Sequence, residues 1–184
     1  AAALSDYNKT IELNPLFVNA YLNRGIALFE QGDLKAALSD FDRGIQLDPR
    51  EAKAHCNRGT VRQRVGDTDG ALVDYTEAIR LDRGNDRAWG NRCGLHYLKH
   101  DYATALSDCN QALLLNPKND VALGNRGMVR KAKGDAAGAI ADFDEALRLN
   151  PSATEVYRSR GVAYLLLDQE KPHTSGGQLK PEME

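Results

Sequence analysis

The sequence predicts an all-α solenoid of stacked helix pairs, and two series of short motifs carry this prediction. An Asn-Arg-Gly tripeptide and an Asn-Pro or Asp-Pro dipeptide both return at a constant step of 34 residues, without insertions. The tripeptide stands at 23–25, 57–59 and 125–127, and it is altered to Asn-Arg-Cys at 91–93 and to Ser-Arg-Gly at 159–161. The dipeptide stands at 14–15, 48–49, 116–117 and 150–151, and Asp-Arg takes its place at 82–83. A fixed period of this kind is the signature of a repeat array, in which each unit packs only on its neighbours.

The first half of each unit has the pattern of a helix. In the first complete unit, the stretch 19–31 places Tyr21 and Leu28 at helical spacing and contains no Pro. Gly32 supplies the left-handed residue that ends this helix. Asp33 then accepts from the free N–H groups of the next helix. The sequence therefore predicts a tight turn between two helices.

This turn returns in the later units with one exception. Gly-Asp stands at 66–67 and 134–135, whereas the third complete unit has His100-Asp101. We therefore expect His100 to adopt a positive φ, at a cost of roughly 1–2 kcal/mol, or the turn to change.

The second half of each unit has an apolar stripe. In the first complete unit, Ala37, Phe41 and Ile45 share one face of a helix. The small Ala and the Gly of the tripeptide let two backbones approach, and the aromatic residue fills the space beside them. Pro49 ends the helix, because the residue before Pro is pushed out of the α region. Gly84 is expected to take this role in the one unit that lacks the Pro.

The period divides the chain into seven segments. Residues 1–17 match the second helix of a truncated repeat, 154–167 match the first helix of a partial repeat, and 168–184 form a polar tail. Four complete units lie between them, at 18–51, 52–85, 86–119 and 120–153. The tail is expected to be flexible. One hypothesis places its end, 180–184, along a groove as a peptide mimic; a vector remnant or a misplaced second helix are the alternatives.

Composition excludes several classes of function. The net charge of −2 over 184 residues gives no argument for nucleic acid or an anionic membrane surface. No run of about 18 apolar residues predicts a membrane span. Cys56, Cys93 and Cys109 are an odd number without CxxC spacing, so no disulfide framework is expected and a reducing compartment such as the cytoplasm is favoured.

These markers resemble the tetratricopeptide repeat, whose pattern is Trp-x2-Leu-Gly-x2-Tyr, Ala-x3-Phe and Pro at a step of 34. The resemblance covers about 1–167, with departures such as Cys109 at an aromatic position and Arg-Gly for Leu-Gly. The Trp position holds Tyr21, His55, Trp89, Leu123 and Tyr157. The resemblance implies antiparallel helix pairs in a right-handed superhelix, with the first helix of each pair lining a concave groove. It also implies a protein-interaction scaffold that binds a peptide or partner segment, without catalysis or a cofactor.

The Asn residues of the tripeptides are the main candidates for binding a ligand. An amide offers one acceptor and two donors, which match the C=O and N–H of an extended peptide. The Asn ladder consists of Asn23, Asn57, Asn91 and Asn125. It is similar to the asparagine ladder in the repeat domain of O-GlcNAc transferase. The alternative is that each Asn bonds a neighbouring helix and sets the stacking, and both roles can hold together.

Helical spacing places four cations on the same face. Lys53, Arg64, Arg87 and Lys131 outnumber Glu30 there. We therefore expect a basic groove floor that favours an acidic or C-terminal segment, with a solvated face of incidental charge as the alternative.

The chain resembles chaperone-binding members of the family only in part. Those proteins hold a terminal carboxylate with Lys and Asn, then Asn, then Lys and Arg, on three successive first helices. Lys53 with Asn57 and then Asn91 match the first two sets, but Val121 with Asn125 lacks both cations. A chaperone site of this kind is therefore not expected.

A second polar series is interpreted as structural. Asp residues recur on the second helices with the period of the tripeptide Arg, and opposite charges at one step predict ion pairs within or between units. The series are Arg24, Arg58, Arg92, Arg126, Arg160 and Asp6, Asp40, Asp74, Asp108, Asp142.

Catalytic and metal sites are not predicted. Cys93, His96 and His100 could be drawn as a metal site, but Cys93 holds a packing position and His100 a turn position. Two further functions stay open, which are homo-oligomerisation through exposed terminal helices and service as the substrate-selecting arm of a larger enzyme.

Overall fold

The computed structural model describes residues 2–169, and this part of the chain is helical without any strand. The hypothesis about a peptide-mimicking tail at 180–184 falls outside the described residues. The helices are α1 Ala2–Leu13, α2 Val18–Glu30, α3 Leu34–Leu47, α4 Ala52–Arg64, α5 Thr68–Leu81, α6 Asp86–Leu98, α7 Tyr102–Leu115, α8 Asp120–Ala132, α9 Ala136–Leu149 and α10 Thr154–Gln169. None of these helices combines the length and apolar character that a membrane crossing requires.

Each helix packs on the helix before and the helix after it, which confirms the predicted all-α solenoid of helix pairs. The apolar interior is divided into small clusters along the stack. Phe41, Tyr75 and Phe143 are the largest fully enclosed side chains of these clusters. The chain is therefore held together by neighbouring helices, as expected for a repeat array.

The turns between paired helices follow the predicted chemistry. Gly32, Gly66 and Gly134 have φ values of 84°, 86° and 85°, and His100 has φ 61°. Of the two alternatives expected at His100, a positive φ or a changed turn, the structure shows the positive φ. The Asp that follows each of these residues accepts from the N–H three positions later and so caps the next helix; these residues are Asp33, Asp67, Asp101 and Asp135.

The ends of the second helices depend on Asx side chains more than on Pro. The Asp48 carboxylate accepts from the N–H of Arg50 at 2.9 Å. Asp82 accepts in the same way from Gly84 at 2.8 Å, although no Pro follows it. The Asx side chain thus supplies the turn in every unit. In the unit without Pro, the turn depends on Asp82 together with Gly84, and not on Gly84 by itself.

Candidate functional site

The four Asn of the ladder lie on α2, α4, α6 and α8, but in unequal surroundings. Asn23 is exposed, whereas the other three are half-buried. Asn125 donates from Nδ2 to the Gly90 carbonyl at 3.0 Å. Within residues 2–169, the side chains of Asn23 and Asn57 make no hydrogen bond. Asn125 therefore sets helix stacking, while Asn23 and Asn57 keep their hydrogen-bonding capacity.

The Asn125 bond belongs to an unusually close contact between α6 and α8. A Cβ on Gly90 would lie 3.3 Å from the Cβ of Ala122, and one on Gly94 would lie 2.8 Å from Asn125 Nδ2. The contact is fastened at its end, because the side-chain amide of Asn119 donates to the Asp86 carboxylate at 2.8 Å. Two small residues on α6 therefore let the neighbouring first helix approach its backbone.

A cleft of about 250 Å³ lies where α2, α4 and α6 meet. It brings together two of the residues predicted from sequence, Asn57 and Arg87. Its other lining residues are Ile26, Phe29, Glu30, Phe41 and Thr60. Arg87 is exposed and makes no ion pair within the described part of the chain. The cleft therefore combines an apolar floor with a free guanidinium, a free amide and the Glu30 carboxylate.

The remaining predicted cations do not line this cleft. Lys53 and Arg64 are exposed on α4, without an ion pair in the range 2–169. Lys131 is half-buried on α8, where burial lowers its pKa and the charge of Arg158 lowers it further. These three cations contribute positive potential along the first helices, not direct contacts in the cleft.

A second, mostly apolar cleft of about 230 Å³ separates α8 from α10. Its wall includes Val121, Asn125, Met128 and Val156. The first helices are thus in close contact at α6 and α8 and open on either side of that contact.

The predicted Arg–Asp pairs are confirmed in the four complete units. Each Arg donates through two nitrogens to the Asp sixteen residues later, and each of these carboxylates is buried. The same Arg also reaches back sixteen residues to the preceding second helix, where the acceptors are Asn8, Asp42, Thr76, Asn110 and, for Arg160, Asp144. Each Arg therefore ties its own pair to the one before it. Asp6 lies exposed on α1 and makes no ion pair within the described residues.

The expectation that no disulfide forms was wrong. Cys93 on α6 and Cys109 on α7 are joined by a disulfide across a Cα–Cα distance of 5.4 Å. Cys93 occupies the Gly position of the tripeptide, and Cys109 occupies the aromatic position of the second helix. The sequence held a signal for this pairing, because both positions depart from the pattern in the same unit.

The residues weighed as a metal site do not come together. Cys93 is committed to the disulfide, and the Nδ1 atom of His100 lies 2.8 Å from the Tyr102 hydroxyl. Within residues 2–169, no group of three or more His, Cys, Asp or Glu side chains could hold a metal ion.

His55, which holds the Trp position of the second complete unit, is buried. Its Nε2 lies 3.0 Å from the Pro49 carbonyl, which matches the bond from the Tyr21 hydroxyl to Pro15 in the preceding unit. Its Nδ1 has no hydrogen-bond partner and lies 3.8 Å from Asp74. Contact with the Asp74 carboxylate raises the pKa of His55, although burial opposes the charge.

Sequence models of the tetratricopeptide repeat match residues 18–51 and 125–169. These two segments of the chain are therefore assigned to tetratricopeptide repeats. None of the curated proteins compared with the chain matches it.

Solved structures share the fold. YrrB, described as a TPR protein with an unusual peptide-binding site, has a TM-score of 0.69 at 22% identity, covering 90% of this chain and 85% of its own. A chain of the APC/C hetero-tetramer Cut9–Hcn1 has a TM-score of 0.79 at 22% identity, covering 89% and 33%. The first TPR of Spaghetti (RPAP3), bound to the HSP90 peptide SRMEEVD, has a TM-score of 0.59 at 27% identity, covering 66% and 96%. These structures show the same fold of stacked helix pairs.

Proposed function

We propose that the concave surface binds an extended segment of a partner protein, and that the cleft between α2, α4 and α6 is its main subsite. The observation that carries this proposal is the convergence of Asn57 and Arg87 over an apolar floor. Both side chains are without a polar partner inside residues 2–169. A ligand can therefore use them without breaking an existing bond.

The chemistry of the cleft favours a segment with a carboxylate next to an apolar side chain. The Arg87 guanidinium matches a carboxylate in geometry and charge. Asn57 offers a donor and an acceptor to one peptide unit. Ile26 and Phe29 give the adjoining side chain an apolar surface. Lys53 and Arg64 on α4 add positive potential, which favours an acidic segment and raises its rate of association.

Spaghetti (RPAP3) supports this choice of ligand class, because its bound peptide carries acidic residues beside Met and Val. The proposed site differs from the chaperone-binding site described above, because Val121 stands at a position where that site has a cation. The Asn ladder would contribute main-chain contacts at Asn23, Asn57 and Asn91, whereas Asn125 is already bonded to Gly90.

The test is a peptide array with acidic and C-terminal segments, followed by titration of the best peptide. Arg87→Glu should weaken binding at least tenfold, which corresponds to about 1.4 kcal/mol. Lys35→Glu is the charge-matched control, because Lys35 is exposed on α3 and does not line the cleft. Asn57→Ala should weaken binding while the helical circular dichroism stays unchanged. Equal affinity for Arg87→Glu and wild type would overturn the proposal.

A second candidate function is self-association through α10. Leu165 is 65% exposed and lies near Tyr164 and Leu166, which are also exposed. Light scattering of wild type and Leu165→Glu tests this, with Val73→Glu on α5 as a control of equal 65% exposure. Self-association predicts that only Leu165→Glu lowers the measured mass.

A further inference from the structure

We propose that the Cys93–Cys109 pair is a redox site, in which a disulfide replaces the Gly–aromatic contact that joins the helices of the other units. Reduction of this bond by a dithiol then loosens α6 from α7. In each of the four complete units, the Gly position of the tripeptide faces the aromatic position sixteen residues later. The third unit alone has Cys at both positions.

In the other three units this pair is a tight contact between a bare backbone and a ring. A Cβ on Gly25 would lie 2.8 Å from Phe41, and the equivalent distance from Gly127 to Phe143 is 2.5 Å. A Cβ on Gly59 would lie 2.9 Å from the ring of Tyr75. The rings have 0–1% of their surface exposed. Each ring thus fills the space between the two helices of its unit.

The third unit cannot make this contact. Cys93 and Cys109 are both 0% exposed, and they lie in a cluster with Ala105 and Val129. Two thiols fill less volume than an aromatic ring. The covalent bond therefore supplies the cohesion between α6 and α7 that the ring supplies elsewhere, and reduction leaves neither bond nor ring.

The chemical step is thiol–disulfide exchange. A thiolate of the dithiol attacks one sulfur and forms a mixed disulfide, and the other protein sulfur leaves as a thiolate and takes up a proton. The second thiol of the reductant then displaces the remaining protein sulfur, so that the dithiol ends as a disulfide. Because both sulfurs are enclosed, attack requires α6 and α7 to open first. Cys56 does not compete, since burial raises the pKa of its thiol to about 11.

The consequence for binding rests on the proposed function of the groove. Helix α6 carries Arg87 of the cleft and also the Gly90 carbonyl that receives the Asn125 bond. A looser α6 displaces the guanidinium from the Asn57 side of the cleft. Reduction should therefore weaken peptide binding as well as stability.

The experiment compares melting temperatures of oxidised and dithiol-reduced protein, with alkylation under denaturing conditions to count free thiols. The oxidised chain should have one free thiol and the reduced chain three. Reduction should lower the melting temperature by roughly 5–10 °C. Cys93→Gly/Cys109→Phe is the matched control, because it restores the pair used by the first and fourth units. It should melt at one temperature under both conditions.

Cys93→Ala/Cys109→Ala provides a second reference that does not depend on ring packing, and it should melt like the reduced wild type. The proposal is overturned if the bond does not form under oxidising conditions, or if wild type melts equally with one and three free thiols. If reduction lowers the melting temperature but leaves the peptide affinity unchanged, the redox site stands and only its proposed effect on the groove is overturned. Absence of any peptide binding would reject the proposed function, and the melting comparison would still decide the redox site.

Discussion

Asp74 is the most enclosed carboxylate of the Arg–Asp series, with 1% of its surface exposed. Arg58 and Arg62 donate to it at 2.6 and 2.9 Å, and His55 lies beside it at 3.8 Å. Burial opposes its ionisation, but the histidine and the two guanidinium groups together lower the pKa of Asp74. Its charge is therefore compensated by residues of α4, which makes it a structural hub between α4 and α5.

We expect Asp74→Ala to reduce the free energy of unfolding by about 3–5 kcal/mol, because it removes the buried carboxylate that Arg58 and Arg62 share and leaves Arg58 with the much less buried Asp42 alone. Asp69→Ala is the control. Asp69 also forms an ion pair, with Lys99, but it is exposed, so its loss should cost about 0–1 kcal/mol. Chemical denaturation monitored by circular dichroism measures both values. Similar losses for the two variants would contradict a structural role for the buried pair.

His55 should make stability depend on pH. Its folded pKa is raised by Asp74, so its contribution is fully present below the unfolded value of about 6.5 and is lost as pH rises through the raised folded value. The groups facing it are Asp74, Arg58, Glu77 and the Pro49 carbonyl. The melting temperature of wild type should therefore fall from about pH 6 to pH 9.

The control for this prediction is His55→Tyr. Tyr21 shows that a hydroxyl at the equivalent position reaches the carbonyl six residues earlier. The variant keeps that bond and removes the titrating ring, so its melting temperature should change less across the same range. An equal change in both proteins would assign the pH dependence to other groups.

Within the helix pairs, cohesion depends on the close approach of a Gly backbone to an aromatic ring. Gly127→Ala places a Cβ 2.5 Å from Phe143. We expect a net loss of about 1–3 kcal/mol from overpacking, although Ala is the better helix former by about 1 kcal/mol. Gly161 occupies the same position on α10 but has nothing within 4 Å. Gly161→Ala should therefore be neutral or stabilising, and thermal melts of the two variants compare them directly.

Most features of the helix pairs could be predicted from sequence because they depend on local chemistry. The Gly-Asp turns, the positive φ of His100 and the Arg–Asp pairs follow from spacing and residue type alone. The disulfide could not be predicted from cysteine count, since the pairing depends on which positions face each other across two helices. A correct prediction would have treated Cys93 and Cys109 as one pair of facing positions that are both altered, and not as two separate exceptions.

Across the whole molecule, the surroundings of the Asn ladder could not be predicted from its regular spacing. The period places each Asn at the same point of its helix, but the distance between successive first helices depends on the residues that separate them. Gly90 and Gly94 allow α8 to approach α6, and Asn125 turns inward as a result. The larger Thr60 and Ile26 stand at the positions equivalent to Gly94, and the earlier first helices contact one another much less.

The effects of substitutions at Gly94 and Asn125, which meet where α6 contacts α8, should therefore be coupled. A Cβ on Gly94 would lie 2.8 Å from Asn125 Nδ2, so Gly94→Ala should displace the amide from the Gly90 carbonyl. Asn125→Ala alone should cost about 0.5–1.5 kcal/mol through the lost hydrogen bond. In the double variant the added methyl meets no amide, so the combined loss should fall short of the sum by about 1 kcal/mol.

Chemical denaturation of the four proteins completes this double-mutant cycle. Hydrogen exchange in α6 and α8 locates the change, because both single variants should increase exchange there before elsewhere. Additive losses would mean that Asn125 and Gly94 act independently, and that the close approach of the two helices depends on Asp86 and Asn119 at their ends instead. Coupled losses would identify α6 and α8 as a rigid pair of helices, against which the cleft of Asn57 and Arg87 is built.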